Sequence, residues 1–370
     1  MRRSTAVSAV SAGRGRSLAQ AYRRFGEVDT AETSPLHKRV AVALSESDEA
    51  LRAIETVPAR KRHPAMILAA LHDLALAGRA SALAAAYSAA ADSAADGDAA
   101  AEAAIGTLLR MTDSVVAIAA RRRTPTDETG RYAVLYPAIA EAARRVGMDA
   151  VGLIDVGRAA GLNLNVDRVG ITYGNGQSLG DPASAVQRSC SLLGDRPVPS
   201  RPIPEVRTRL VVDPDPIDVT DADDARWLRA GLGPDQREPM ARLEAELALA
   251  AAAPPLLLRG DPVELLPDAV ARVPAAALPV VMTTWALSRL SPERRRRLRH
   301  GIQETAAGRP VAWVSVEGVG VAPTIPTLGD RPASGHSIVG LAGFDRSSAR
   351  AEAIGRCWSR GRIMAWLADS

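Results

Sequence analysis

Residues 153–164 read Leu153-Ile154-Asp155-Val156-Gly157-Arg158-Ala159-Ala160-Gly161-Leu162-Asn163-Leu164, and this stretch decides the fold. An apolar run ends in an acid, and Gly-x-x-x-Gly then leads into a helix start. Glycine at 157 permits a sharp exit from a strand, and glycine at 161 lets helix and ligand approach without a Cβ between them. The first N–H groups of the helix then face the crevice at the carboxyl end of the strands. The pattern is D-x-G-x-x-x-G, whereas dinucleotide-binding turns carry G-x-G-x-x-G. An acid at the strand end suits a ligand with an ammonium group, such as S-adenosylmethionine, better than a pyrophosphate. That argues against a nicotinamide-dependent oxidoreductase. The same residues also suit a plain tight βα turn with no ligand.

Outward from this turn the chain alternates. AVGLIDVG (150–157), TRLVVDP (208–214), PPLLLRGD (254–261), LPVVMTTW (278–285) and PVAWVSVEG (310–318) read as buried strands. Helical patterns lie between them: DDARWLRAGL, QREPMARLEAELALAAA, VELLPDAVARV and SPERRRRLRHGIQETAA. This order predicts an α/β fold over 148–370, a Rossmann-like, doubly wound and mainly parallel sheet. SIVGLAGFD and the segment after it supply a closing hairpin. Residues near 165–207 break the alternation and carry the hairpin signal Asn175-Gly176, which predicts a β-insertion.

Upstream, 17–147 reads as an all-helical domain. Ser34-Pro35 marks a capped start. The stretch 80–123 is dominated by alanine, which forms helix well but buries little area, so close packing through small residues is expected. Asp96-Gly97-Asp98 reads as a loop, and 1–16 as a disordered lead-in.

In a doubly wound sheet the carboxyl ends of consecutive strands line one crevice. Asp213 follows RLVV, Asp261 follows LLLRG, and Thr283-Thr284-Trp285 follow PVVM. An acid at the second strand end is suited to a ribose diol and one at the third to the adenine amino group, while the fourth strand end faces the transferred group. The expected cofactor-binding set is therefore Asp155, Gly157, Gly161, Asn163, Asp213, Asp261 and Thr283. Asp213 and Asp261 would equally cap the helices after them. Around the reacting group come Glu128 and Arg131, oriented toward substrate or a carboxylate, with Trp285 and Glu317 at later strand ends. A carboxyl at the position of Glu317 suits a general base. Thr124, Pro125 and Asp127 also make a good helix start.

Composition narrows the classes. A chain of 370 residues suggests about two domains. Its 46 Lys+Arg against 42 Asp+Glu leave +4, too weak for a protein that coats nucleic acid, and aromatics at 3% leave few stacking platforms. Arg294–Arg297 therefore read as a solvated helix face. The apolar run 247–258 carries prolines and is shorter than the ~20 residues a membrane span needs. Ser8, Ser11, Arg14 and Arg16 interrupt any secretory h-region, so the expected location is cytoplasmic. Cys190 and Cys357 fit no metal spacing, so no metal is expected. His336 reads as a loop residue.

The run IDVGRAAGLNLNVDR, with RTPTDETGR (123–131) and VVDPDPIDVTDADDARWLRAGLGPDQ (211–236), resembles an uncharacterised bacterial family. That resemblance implies a fold like class I methyltransferases. It also implies Glu in place of Asp155, Ser at Ala159 or Ala160, Gln at Pro125, Asn at Asp127, and His near Thr283 and Thr284. This chain departs at those polar positions. The expected function is S-adenosylmethionine-dependent methyl transfer to a small-molecule acceptor held near Thr283, Trp285 and Glu128, with no nucleic-acid or membrane partner. The departures leave a second expectation, a catalytically inactive Rossmann-like binding or regulatory module.

Overall fold

The computed structural model describes residues 17–125, 129–346 and 348–369. The lead-in over 1–16 and the predicted site residue Glu128 lie outside the described residues. Helices in the first third are α1 (Pro35–Glu46), α2 (Asp48–Glu55), α3 (Pro64–Leu76), α4 (Ser81–Asp92), α5 (Gly97–Arg110) and α6 (Thr112–Arg121). After them come α7 (Tyr132–Val146), α8 (Ala222–Ala230), α9 (Arg237–Ala251), α10 (Pro262–Ala271) and α11 (Pro292–Thr305). The chain divides into two compact units, Met1–Asp127 with Asp221–Leu243, and Glu128–Thr220 with Glu244–Ser370.

The first unit is helical. Ser34 accepts the His37 amide at the start of α1, with Pro35 in the first position. A second acceptor arrives from far along the chain, since Asp235 takes the Leu36 amide at 2.9 Å. Helix α3 is buried along nearly its whole length, from Met66 to Ala75. Alanines 69, 70, 100, 101, 104 and 119 share this core with Leu and Ile, as the small-residue packing predicts. Helix α8 closes it, its Trp227 donating to the Arg123 carbonyl at 3.3 Å. The break expected at Asp96-Gly97-Asp98 falls slightly earlier, because Gly97 already opens α5.

Helix α7, placed by sequence with the helical domain, instead packs in the core of the sheet unit through Val134, Leu135, Ile139 and Ala142. Its periodicity shows that a face is buried, not which core receives it. Thr124 and Pro125 are themselves non-helical, Asp127 of the same expected start lies outside the described residues, and α7 opens at Tyr132.

The second unit is built on an 11-stranded sheet ordered β3-β2-β4-β11-β10-β9-β8-β7-β1-β5-β6. The strands are β1 (Ala150–Val156), β2 (Gly170–Tyr173), β3 (Ser178–Gly180), β4 (Gln187–Leu192), β5 (Glu205–Asp213) and β6 (Leu256–Arg259). Then follow β7 (Leu278–Thr284), β8 (Val311–Gly318), β9 (Ser337–Phe344), β10 (Ala349–Trp358) and β11 (Ile363–Trp366). From β6 through β5, β1 and β7 to β8 every pairing is parallel, whereas β8, β9, β10 and β11 follow as an antiparallel meander. The sheet is thus Rossmann-like and mostly parallel at its centre. The chain runs outward from β1 to β6, then crosses to the other side of β1 for β7 and β8, which makes β1 and β7 the switch point.

The insertion folds as β2, β3 and β4, with Gly176 at φ +85° in the hairpin, and β4 pairs with β11. Strand β6 differs from expectation: as the sheet edge it is exposed at Leu256, which is 45% accessible. Helix α7 covers one face of the sheet, and α10 and α11 cover the other. Among the described residues no single helix is long and apolar enough to cross a membrane.

Candidate functional site

Alternation along β1 sends Val151, Leu153 and Asp155 toward the α7 face, and Ala150, Ile154 and Val156 toward α10 and α11. Asp155, wholly buried, accepts from Asn163 Nδ2 at 3.1 Å, and the same nitrogen lies 3.1 Å from Thr284 Oγ1. Asn163 Oδ1 in turn accepts the Arg131 amide at 2.8 Å. One asparagine therefore ties the end of β1, the end of β7 and the start of α7 together. A buried carboxylate needs such donors, because without them its desolvation is uncompensated.

Thr283, predicted beside these residues, faces the other way. Its Oγ1 accepts from Trp313 Nε1 at 3.1 Å, on the face under α10 and α11. Glu317 is on that same face, two residues from Ser315 and four from Trp313. The strand period of two makes Thr283 and Thr284 serve opposite sides, and a sequence scan that groups them cannot see this.

Glu317 Oε1 accepts the amides of Ala286 at 3.0 Å and Leu287 at 3.1 Å. Burial pushes its carboxyl up to about 7, opposed by those two amides, the Arg295 charge and the Thr283 hydroxyl. In this arrangement Glu317 holds backbone.

Trp285 directly follows β7 and has φ +51°, a left-handed conformation that L-residues adopt at a cost. Its indole donates to Ser337 Oγ at 2.8 Å, and the Arg131 guanidinium lies 5.3 Å from its ring centroid. That is a cation–π geometry. Arg131 Nη1 also donates to the Thr129 carbonyl at 2.6 Å and hydroxyl at 2.8 Å. The segment is anchored by Glu246, whose Oε2 accepts the Gly130 amide at 2.9 Å while Oε1 pairs with Arg188.

Both glycines of the turn have positive φ, +77° at Gly157 and +61° at Gly161. A Cβ at Gly157 would lie 2.8 Å from Ala286 Cβ, and one at Gly161 would lie 2.3 Å from Val211 Cγ2. The protein's own packing thus requires both. Asp213 is buried at the end of β5 and accepts the Asp215 amide at 2.8 Å. Asp261 caps α10 through the Val263 amide at 2.9 Å and pairs with Arg294, which holds its carboxyl below the usual range.

Asp155, Asn163, Arg131 and Trp285 are therefore brought together, while Thr283 and Glu317 lie on the opposite face and Asp261 is engaged at a helix start. Sequence reasoning named Thr284 only as a strand-end residue, outside the expected binding set, and missed Ser337, Arg188 and Glu246. A signal for Glu246 exists, because it shares the inward stripe of α9 with the buried Leu243, Leu247 and Ala250. His336 accompanies Asp330, at 2.9 Å, and Asp330 is also bridged by Arg356. Cys190 and Cys357 are free and buried, and burial pushes both thiols up to about 12. Among the described residues no group of three or more His, Cys, Asp or Glu is placed to hold a metal ion.

No curated protein and no solved structure matches the chain. A family model described as "Uncharacterized protein conserved in bacteria (DUF2332)" matches residues 19–366, which runs from the first described helical turn to the end of β11. The chain belongs to this conserved bacterial family, DUF2332.

Proposed function

We propose that the sheet unit binds S-adenosylmethionine at the carboxyl ends of β1 and β5 and transfers its methyl group to a small-molecule acceptor, in the manner of class I methyltransferases. The observation that carries this reading is the switch point: strand order reverses beside β1, and Asp155 and Asp213 end adjacent strands on one face there. The donor set fits such a cofactor. Asp213 would accept the ribose hydroxyls, and the Asp155–Asn163–Thr284 group would lie toward the ammonium end. When bound, the cofactor supplies an electrophilic methyl on a sulfonium. Arg131 and Trp285 would orient the acceptor, since in-line displacement draws much of its rate from positioning.

Calorimetry of the purified chain tests this reading. Micromolar-class binding, about −8 kcal/mol, is expected, and Asp213→Ala should weaken it roughly tenfold or more by removing a charged acceptor. A folded protein that gives no heat at high cofactor concentration overturns the reading.

A second reading, an inactive Rossmann-like binding or regulatory module, is favoured by a specific observation. Ala286 fills the space that the missing Cβ of Gly157 leaves, and Asp155 and Glu317 both already hold groups of the fold. Conversion of added S-adenosylmethionine to its demethylated product by the purified chain would count against this module.

A further inference from the structure

The segment from Trp285 to Leu290 crosses the carboxyl end of the central sheet. Trp285 packs against the core under α7, whereas Leu287 is buried in the core under α10 and α11. Between them Ala286, 6% accessible, sits against Gly157, and Arg289 Nη1 lies 3.4 Å from the Gly157 carbonyl. The segment is held from two sides. Glu317 of β8 takes the amides of Ala286 and Leu287, and Arg295 of α11 donates to the carbonyls of Leu287 at 2.8 Å and Leu290 at 3.0 Å. Its first residue is in the left-handed region, which an L-residue adopts at a cost.

We propose that residues 285–290 form a strap over the β1 turn, latched by the Glu317 carboxyl, and that releasing this latch uncovers the turn for an adenosyl ligand. The ligand clause rests on the methyltransferase-like reading above; the strap itself does not. Arg295 acts on the latch from α11, the Thr283 hydroxyl from β7, and the strap offers the amides of Ala286 and Leu287, with Arg289 nearby at the Gly157 carbonyl.

Glu317 gives the latch a proton dependence. In the closed strap burial holds its carboxyl near 7. In an opened strap the carboxyl is hydrated and returns toward its ordinary value of about 4.3. The closed form therefore binds more protons, and rising pH through the closed-state value favours opening.

The test uses the full-length chain labelled at its tryptophans, with the Trp285 indole resonance identified by its loss in Trp285→Phe. From about pH 5.5 to about pH 8.5 that resonance should move with a midpoint near the closed-state value, while the deeply buried Trp227 and Trp366 stay put. Glu317→Gln, a permanently neutral latch, should abolish the movement. A still Trp285 resonance in the parent chain, or an unchanged titration in Glu317→Gln, overturns the strap. Calorimetry with S-adenosylmethionine tests the ligand clause separately. Affinity should rise by up to about tenfold per pH unit between the hydrated and closed-state values, level off above the midpoint, and be flat in Glu317→Gln. Movement of Trp285 without any heat overturns the ligand reading and leaves the strap standing as a conformational switch.

Discussion

The two units hide different mixtures of ionisable groups, two histidines with Asp73 in the helical unit, and mainly acids with Arg131 and Arg158 in the sheet unit. In the helical unit burial drives His37 down to about 4, reinforced by His72 and opposed by Asp235, and His72 is itself lowered by burial. Among the acids of the sheet unit, Glu317 is pushed up to about 7 and Glu246 is wholly enclosed beside Arg188. The contrast follows from what each scaffold offers. Packed helices consume their own amides and leave a ring nitrogen to find a carbonyl, as His72 finds that of Leu232 at 2.9 Å. Parallel strands end in loops whose amides point into the unit, and carboxylates collect there.

The largest expected difference comes from removing one member of an ion pair. Glu246 has no accessible side chain, and its loss takes one charged acceptor from Arg188 and the carboxylate acceptor from the Gly130 amide. Glu246→Ala should cost about 3–5 kcal/mol. In the helical unit Asp224 pairs with Arg122 while both keep about a fifth of their side chains in solvent, 21% and 17%. Asp224→Ala should cost about 1 kcal/mol or less. Urea denaturation of both variants measures the gap, and equal losses would mean that the sheet unit does not depend on its buried charge.

A second expected difference is one of sign with pH. His37 binds its proton less readily folded than unfolded, so its contribution is complete above about 6.5 and is lost as pH falls toward 4. Glu317 binds its proton more readily folded, so its contribution is complete below about 4.5 and is lost as pH rises through 7. Each amounts to roughly 3 kcal/mol at most, at 1.36 kcal/mol per unit. His37→Gln should remove loss on the acid side, and Glu317→Gln loss toward neutrality. Stability measured at about pH 5 and pH 7 checks both. Variants whose pH dependence parallels that of the parent chain would erase the distinction between the units.

Much of this architecture was legible because it rests on local periodicity. The five central strands, the hairpin at Asn175-Gly176, the capped start at Ser34-Pro35 and the bend after Asp155 each follow from a few adjacent residues. What escaped depends on partners remote in sequence. Nothing near Tyr132 says that α7 joins the sheet, and nothing near Ser34 says that Asp235 completes its cap. The site shows the same limit. Asp155, Asn163 and Arg131, grouped by sequence, do lie together, but the division between Thr283 and Thr284 is set by strand phase relative to helices that the pattern does not position. The family match extends across both units, so the pairing of legible strand ends with concealed anchors belongs to one continuous chain.

The smallest contrast separates backbone conformation from packing. Gly78 in the helical unit and Gly161 in the sheet unit have nearly equal φ, +70° and +61°. Around a Cβ at Gly78 nothing lies within 4 Å, whereas one at Gly161 would meet Val211 Cγ2 at 2.3 Å and Leu164 Cδ1 at 3.1 Å. Gly78→Ala therefore isolates the left-handed penalty, about 1–2 kcal/mol. Gly161→Ala adds the overpacking of a closed contact between the turn and β5, about 1–3 kcal/mol more. Thermal or urea denaturation of the pair gives the packing contribution by difference. Should the two alanines cost the same, Val211 must be able to yield, and the turn from β1 into the 3-10 segment Leu162–Arg168, which stands where an α-helix start was expected, would be loose enough for its glycine to serve a ligand. A larger cost at Gly161 makes that glycine a requirement of the sheet first, and leaves the strand-end carboxylates to carry recognition.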